Sequence, residues 1–466
     1  MTTSPASQAE AAARELSVLL GIRATSALAQ REHHSHDESH HEPRLPDIVC
    51  YPRSTEETSA ILKISAKYKL PVVPFGAGTS LEGQVVPVAG GIVLDMREMN
   101  RLLRVSVADM DADVEAGVTR KKLCQALQNT GLTFFIDPGA DATIGGMAST
   151  RASGTTAVRY GTMRENVLGL TAVLADGRII KTGTRARKSA AGYDLTHLLV
   201  GSEGTLAVIT ELSLRLHPLP EVVAAAVCAF PSVVDAVNTA IEAIQLNLAM
   251  ARLEFADESQ MRAINRYSNT DLPESPMLFF EFHALDDASV ERQAELLKEI
   301  AGEHGGSNFQ WSRSIAERDV LWEARHNAYY ASLALRPGAK GRTTDVCVPI
   351  SRLAECITAA KHDMQSLPFP TTIVGHVGEG NFHVLCILNP EDPREVEAAN
   401  EFSGRLVALA HTVGGTCTGE HGVGIGKMRY MEAEHGEALN VMRAIKAALD
   451  PDNRMNPGKM LPPTGR

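Results

Sequence analysis

The chain has 466 residues, room for about two to four domains of ordinary size. Hydrophobic residues make up 44% and charged residues 22%, which excludes a mainly disordered chain. No apolar run approaches the ~20 residues of a membrane-crossing helix, and a net charge of −11 argues against a nucleic-acid binder while leaving room for a local basic pocket in an enzyme.

The first 30 residues lack the basic start and long apolar stretch of a secretory signal. Seven cysteines (50, 124, 228, 347, 356, 386 and 417) form no C-x-x-C pair and are odd in number. Neither a disulfide framework nor a thiolate zinc site is expected, and the compartment reads as reducing. The expectation is a cytoplasmic protein, with peripheral docking at the inner membrane left open. Residues 8–21 read as an amphipathic helix. REHHSHDESHHEPRLPD at 31–47 holds five histidines, but such a run is more often a solvated loop than a metal tract.

From Pro46 to about Pro220, short β-branched runs alternate with Gly-rich turns and two helical stretches, 54–67 and 119–130. Strands are expected within 71–76, 91–96, 167–183 and 204–216, with ADG at 175–177 as a hairpin turn. Beyond Pro220, strand-like runs at 222–230 and 277–284 are followed by helical patterns at 232–246, 286–304, 315–334 and 351–366. Two apolar runs flank a Gly-rich turn at 371–388. Residues 393–412 and 427–449 read as helices around a glycine-dense segment, 413–426.

Three segments carry glycines and hydroxyls where backbone could approach an anion. PFGAGTSLEG, 74–83, follows an apolar run, and successive N–H groups in such a turn make an anion-binding concavity. It fits neither the dinucleotide G-x-G-x-x-G nor the P-loop pattern. Alone, a plain Gly-rich turn explains it equally well. DPGADATIGGMASTRASG at 137–154, with RYG after it, and GSEGTLAVIT at 201–210 shift the balance toward a large anionic cofactor.

Together these segments resemble the FAD-binding domain of the vanillyl-alcohol-oxidase and p-cresol-methylhydroxylase flavoprotein superfamily, over residues 46–220. By that resemblance Gly76, Ala77, Gly78, Thr79 and Ser80 bind pyrophosphate. Pro138, Gly139, Thr143, Gly146, Ser149, Gly154 and Tyr160 line the ribityl chain and flavin ring, and Ile209 meets the adenine side. Relatives that tether FAD do so through His or Cys in these loops. Neither residue occurs at 74–83 or 137–161 here, so non-covalent FAD is expected.

GHVGEGNFH, 375–383, brackets a turn with His376 and His383. In a paired hairpin the two imidazoles face one another across the strands and make natural metal ligands, although two polar residues beside an exposed turn explain the pair as simply. TCTGEHGVGIG, 416–426, adds Glu420 as a third candidate ligand and His421 beside it. Two histidines and a carboxylate leave open positions on a divalent metal, as a catalytic site requires.

GHVGEGNFH, GEHGVGIGK and the ending LDPDNRMNPGKML are similar to the C-terminal half of the FAD-linked D-lactate dehydrogenases, a group that also holds the glycolate-oxidase D-type subunit and D-2-hydroxyglutarate dehydrogenase. RHNAYYASLALRPGAKGRTTDVCVPISRL, 325–353, is most like the D-lactate dehydrogenase (cytochrome) branch. The resemblance implies an α+β fold with four parts. These are an N-terminal helix and loop (1–45), a two-part FAD domain (46–220), a substrate and metal cap with an antiparallel sheet (221–425) and a C-terminal segment returning to the flavin (426–466). It implies that His376, His383 and Glu420 hold Zn²⁺ or Mn²⁺, that His421 is the general base, that Arg325 pairs with the substrate carboxylate and that Asn456 approaches the flavin. A guanidinium suits that task because its planar fork matches a carboxylate, although a structural ion pair is the plainer use of an arginine.

The implied activity is oxidation of a D-2-hydroxy acid, D-lactate first. D-2-Hydroxyglutarate enzymes carry Lys where Thr343 stands and a polar residue where Leu385 stands. Phe382, Leu385, Tyr329 and Trp322 could shape an apolar pocket, while Lys340 and Arg342 keep a dicarboxylate open. The alternatives are a glycolate-oxidase FAD subunit and, outside enzymes, an electron-transfer FAD subunit, which would need no histidine hairpin. The electron acceptor is expected among cytochrome c, a quinone and an electron-transfer flavoprotein, and a homodimer is the commonest assembly.

Overall fold

A computed structural model of the chain describes residues 5–463. The fold is α+β, and internal contacts divide it into two units. The first comprises the described residues up to Gly154, then Gly161–Leu219 and the stretch from Glu420 on. The second comprises Thr155–Tyr160 and Pro220–Gly419.

The first unit carries two sheets of different kinds. In one, Ile48–Cys50 and Val72–Phe75 flank Ile92–Asp95 in parallel, with Ala24–Thr25 as an antiparallel edge. Its strands are short runs of valine and isoleucine covered on both faces, as parallel strands usually are. The helices Pro5–Leu20 and Thr55–Tyr68 add Leu16, Ile61 and Leu62 to its core. Ser54 caps the second helix by accepting a hydrogen bond from the Glu57 amide, and Lys69 ends it in the left-handed region at φ 55°.

The other sheet is antiparallel and has five strands: Leu102–Ser106, Asp111–Glu115, Ala207–Arg215, Val167–Leu174 and Ile179–Gly183, in that spatial order. The expected ADG turn joins its last two strands, with Gly177 at φ 84°. The second gives no strand pattern in sequence because three acids occupy it, two of them buried. Asp111 and Asp113 are met by Arg104 at 2.6 and 2.7 Å, and Glu115 by Arg101 at 2.7 Å. Pairing removes the cost that would keep such residues out of a sheet. Near the C-terminus the expected helix over 427–449 is broken at Gly436 (φ 49°) into Met431–His435 and Ala438–Leu449.

The second unit is built on one antiparallel sheet. Ser307–Ser312, Val222–Ala229, Met277–Ala284, Met250–Ala256, Thr371–His376, Asn381–Leu388 and Lys340–Thr343 follow one another across it. Val222–Ala229 and Met277–Ala284 pair along their whole length; the amphipathic helix Asp287–Glu303 packs on both, and the amphipathic helix Val233–Gln245 packs beside that helix. The expected helix over 315–334 is two helices, Ile315–His326 and Ala328–Ala334, separated at Asn327. Met250–Ala256 escapes the sequence pattern because Arg252 and Glu254 interrupt its apolar run. All seven cysteines are free. Among the described residues no helix is long and apolar enough to cross a membrane.

Candidate cofactor cleft and histidine hairpin

A cleft with about 1190 Å³ of atom-free space, its open mouth included, runs through the first unit. Gly76, Ala77, Gly78, Thr79 and Ser80 form one stretch of its wall, directly after the parallel strand Val72–Phe75. Pro138, Thr143, Gly146 and Ser149 form another, and Ile209, Glu420, His421 and Asn456 also face it. Three expected residues do not line it. Gly139 is a turn at φ 82°, Gly154 lies flush against the Asp137 carbonyl, and Tyr160 belongs to the second unit. There the Tyr160 hydroxyl donates to His283 Nδ1 at 2.7 Å, while His283 Nε2–H donates to Glu281 at 2.9 Å. No local sequence pattern marks that partner.

The cleft's smallness of side chain is enforced from behind. A Cβ on Gly76 would overlap Thr143 Oγ1, and one on Gly78, at φ 75°, would stand 2.8 Å from the Phe75 ring. Thr143 is itself fixed, accepting a hydrogen bond from the Gly146 amide at 3.2 Å to cap the helix Ile144–Thr150. Backbone amides and hydroxyls therefore face the cleft in a setting preformed for a phosphate-bearing cofactor. Gln84 and Glu203 also line the wall, and the sequence reading missed both. Burial pushes the Glu203 carboxyl up from its ordinary range, against amide hydrogen bonds from Val423 and Gly424.

The histidine hairpin lies in the second unit. Thr371–His376 and Asn381–Leu388 pair antiparallel around a 3₁₀ turn, Val377–Glu379, closed by Gly380 at φ 81°. The register differs from a direct pairing of the histidines. His376 stands opposite Asn381, and His383 opposite Val374. The histidines are diagonal neighbours on one face, with ring centroids 5.5 Å apart and planes at 82°. A diagonal offset remains within reach of long side chains.

Both rings are oriented from behind. His376 Nδ1–H donates to the Glu254 carboxylate at 2.7 Å, and His383 Nδ1–H donates to the Thr344 carbonyl at 3.0 Å. In each ring Nε2 is then the nitrogen that keeps its lone pair, the arrangement of a metal-ligating histidine. Glu254 is fully buried on the strand Met250–Ala256, and its second oxygen accepts from Arg325 at 2.6 Å. Arg325 is thus held by a structural ion pair, yet its Nε has no hydrogen-bond partner among the described residues. An arginine pinned at one end keeps donors for a second carboxylate. Asp345, also buried, accepts from Asn381 at 2.9 Å and from Thr418 at 2.7 Å, and lies 3.8 Å from His383 Nδ1. Glu254 and Asp345 carry no local motif, so no sequence signal could have found them.

Sheet geometry sorts the candidate specificity residues. Leu385 shares the face of His383 and packs with Ala328, Val374 and Ile387. Thr343 stands opposite Leu385 and shares that face. Phe382 is on the other face. Lys340 and Arg342 pair with Leu388 and Cys386, which places them on the other face too, and Arg342 is engaged by Asn400 at 2.6 Å. Trp322 is buried beside Phe279 under the Arg252 guanidinium, while Tyr329 is largely solvent-facing.

Residues 219–460 match the family described as FAD linked oxidases, C-terminal domain, and residues 46–183 match an FAD binding domain. The chain belongs to the FAD-linked oxidases. A probable mitochondrial D-lactate dehydrogenase of Danio rerio is 50% identical over 445 residues, which is 95% of this chain and 89% of the relative. A mitochondrial D-lactate dehydrogenase [cytochrome] of Arabidopsis thaliana is 45% identical over 455 residues, 96% and 80% of the two chains. In structure, p-cresol methylhydroxylase superposes with a TM-score of 0.79 at 17% identity, covering 97% of this chain and 96% of its own, which shows the shared fold. The protein is an FAD-linked oxidoreductase, and its cofactor is FAD.

Proposed function

We propose that the protein oxidises D-lactate to pyruvate, as a D-2-hydroxy acid dehydrogenase with non-covalent FAD and one divalent metal, Zn²⁺ or Mn²⁺. The observation that carries this reading is the oriented histidine pair, His376 and His383, each with Nδ1 tied down in the orientation of a ring that ligates through Nε2. An electron-transfer subunit has no use for such a pair. The names of the two mitochondrial relatives point to the same substrate.

Glu420 completes the proposed ligand set. It follows Gly419, whose lack of a side chain lets the chain lie flush against the Asn381 amide. Two imidazoles and one carboxylate suit Zn²⁺ and Mn²⁺ and leave positions for substrate. Among the described residues that line the cofactor cleft there is no cysteine and the one histidine is His421, the proposed base, which supports an untethered FAD. When bound, FAD supplies the hydride acceptor and the metal supplies a Lewis acid.

The chain's own residues do the rest. Arg325 receives the substrate carboxylate on the guanidinium edge that Glu254 leaves unoccupied. Glu254 holds Arg325 and His376 in one fixed geometry. His421 takes the proton of the substrate hydroxyl, a task suited to imidazole at neutral pH. Leu385 and Thr343 offer small apolar contact on the histidine face, which fits the methyl group of lactate. With Lys340 and Arg342 on the opposite face, no cation of that strand reaches toward a second carboxylate.

Electrons then pass to a one- or two-electron acceptor. The D-lactate dehydrogenase [cytochrome] relative favours a cytochrome over a quinone or an electron-transfer flavoprotein. A cytoplasmic or inner-membrane-peripheral location and a homodimer complete the proposal. Anaerobic titration of the purified flavoprotein with D-lactate, L-lactate, glycolate, D-2-hydroxybutyrate and D-2-hydroxyglutarate tests it. The expected result is bleaching of flavin absorbance near ~450 nm by D-lactate and D-2-hydroxybutyrate and none by L-lactate. A stronger response to glycolate or hydroxyglutarate would overturn the substrate, and no bleaching by any compound would overturn the dehydrogenase. Replacing His376 by Ala should remove metal and activity while FAD stays bound.

A further inference from the structure

The segment that carries His421 lies flush against two other segments of the first unit. The Glu82 carbonyl accepts from the amides of Ile425 and Gly426 at 2.7 and 3.2 Å. Gln84 Nε2–H donates to the His421 carbonyl at 2.7 Å. The Glu203 carboxylate accepts from the Val423 amide at 2.7 Å through one oxygen and from the Gly424 amide at 2.8 Å through the other. Gly422 and Gly424 make this approach possible. They sit at φ 81° and 47°, and a Cβ on Gly422 would stand 2.5 Å from the Glu203 carboxylate.

Gln84 and Glu203 are themselves locked. Asn456 Nδ2–H₂ donates to the Gln84 carbonyl at 2.9 Å and to the Glu203 carbonyl at 2.7 Å. All three side chains are buried, and all three line the cofactor cleft with His421. Glu203 also holds a left-handed backbone at φ 51°, which a non-glycine residue adopts only where its surroundings demand it.

We propose that Glu203, with Gln84, is the positioning residue of His421. The pair clamps the main chain at the carbonyl of the base and at the amides two and three residues beyond it, and because its members face the cleft it ties the base to the cofactor wall. A carboxylate is required at 203 because two amide donors converge on it. Glutamine there would present an NH₂ to one of them, donor against donor. The proposal rests on the reading of His421 as base. A base displaced by about 1 Å loses on the order of 10²-fold in rate.

The test uses the FAD-loaded protein and four variants: Glu203→Gln, Gln84→Ala, His421→Gln and the double variant E203Q/H421Q. Flavin reduction by D-lactate is measured by anaerobic stopped flow, FAD affinity by fluorescence titration, and the His421 ring signals by ¹⁵N-histidine spectra of the oxidised protein without substrate. E203Q is expected to slow reduction about 10- to 100-fold, the range for groups that orient a reacting residue. FAD affinity should stay within about threefold, while the His421 signals shift or split. In the H421Q background the same change should cost less than about twofold, the mark of two residues acting as one. Q84A should follow the same pattern with about a tenfold loss, and it carries the test if E203Q does not fold.

A wild-type rate in E203Q and Q84A, or equal slowing with and without His421, overturns the positioning role. A wild-type rate in H421Q overturns the base itself. The two failures are therefore distinguishable.

Discussion

The cofactor cleft and the histidine hairpin are built by opposite means. The cleft is main chain: Gly76, Gly78 and Gly146 keep side chains out of its wall, and Thr143 and Ser149 add hydroxyls. Its determinants sit in short loops, each a run of near neighbours in sequence, and exchange of one side chain for another matters mainly through bulk. The hairpin is side chain: two imidazoles whose orientation comes from Glu254, more than a hundred residues away in sequence, and from the Thr344 carbonyl. A cradle made of backbone tolerates chemistry and resists volume, whereas a ligand pair set by hydrogen bonds tolerates neither loss of charge nor loss of geometry.

The sharpest way to break the comparison is at Glu254. Its carboxylate serves His376 and Arg325 at once. Glu254→Gln keeps the shape but can satisfy only one of them. Metal affinity measured by competition with a chelator should fall about 100-fold, and flavin content should not change. Flavin loss in step with metal loss would show that the two constructions are not separate.

The complementary change is Gly76→Val, which drives a branched side chain toward Thr143. Overpacking of this kind costs about 1–3 kcal/mol, or roughly 10- to 100-fold in FAD affinity. Metal content should be untouched. Tight FAD binding in G76V would mean that this loop is not the cofactor wall.

This contrast also explains what the sequence made legible. PFGAGTSLEG and the 137–154 loop could be read because a backbone cradle writes itself into consecutive glycines and hydroxyls. Even so, Gly139, Gly154 and Tyr160 fell outside the wall, since a glycine needed for a turn at φ 82° looks the same in sequence as one facing a ligand. The hairpin was legible as GHVGEGNFH, but its diagonal register was not, because the turn takes four residues rather than two. Glu254 and Asp345 were invisible, since their significance lies in sheet neighbours and not in spacing. The strand at 111–115 escaped for a related reason: Arg104 on the neighbouring strand and Arg101 just before it neutralise its acids.

A smaller effect separates the first unit's fold from its chemistry. Burial pushes the His217 imidazole down to about 4, and Nε2–H donates to Asn166 Oδ1 at 2.8 Å. The folded state therefore keeps His217 neutral where the unfolded chain would protonate it. Stability should be fully present above pH ~6.5 and decline as pH falls toward about 4. Because the ring is only partly covered, the loss amounts to about 1–2 kcal/mol. His217→Asn should flatten that part of the acid limb in thermal melts, and an unchanged limb would refute the assignment.

The smallest expected effect is that of Thr143→Ala, which removes the cap on the Gly146 amide. It should cost about 1 kcal/mol of stability and weaken FAD binding severalfold less than G76V does.

The most direct test of the whole account is flavin reduction by D-lactate in holoprotein stripped of metal by a chelator and then restored with Zn²⁺ or Mn²⁺. The account predicts that the stripped protein keeps its FAD and stays oxidised in the presence of D-lactate, and that either ion returns rapid bleaching. Full-rate bleaching without metal, or none after metal is returned, would contradict it.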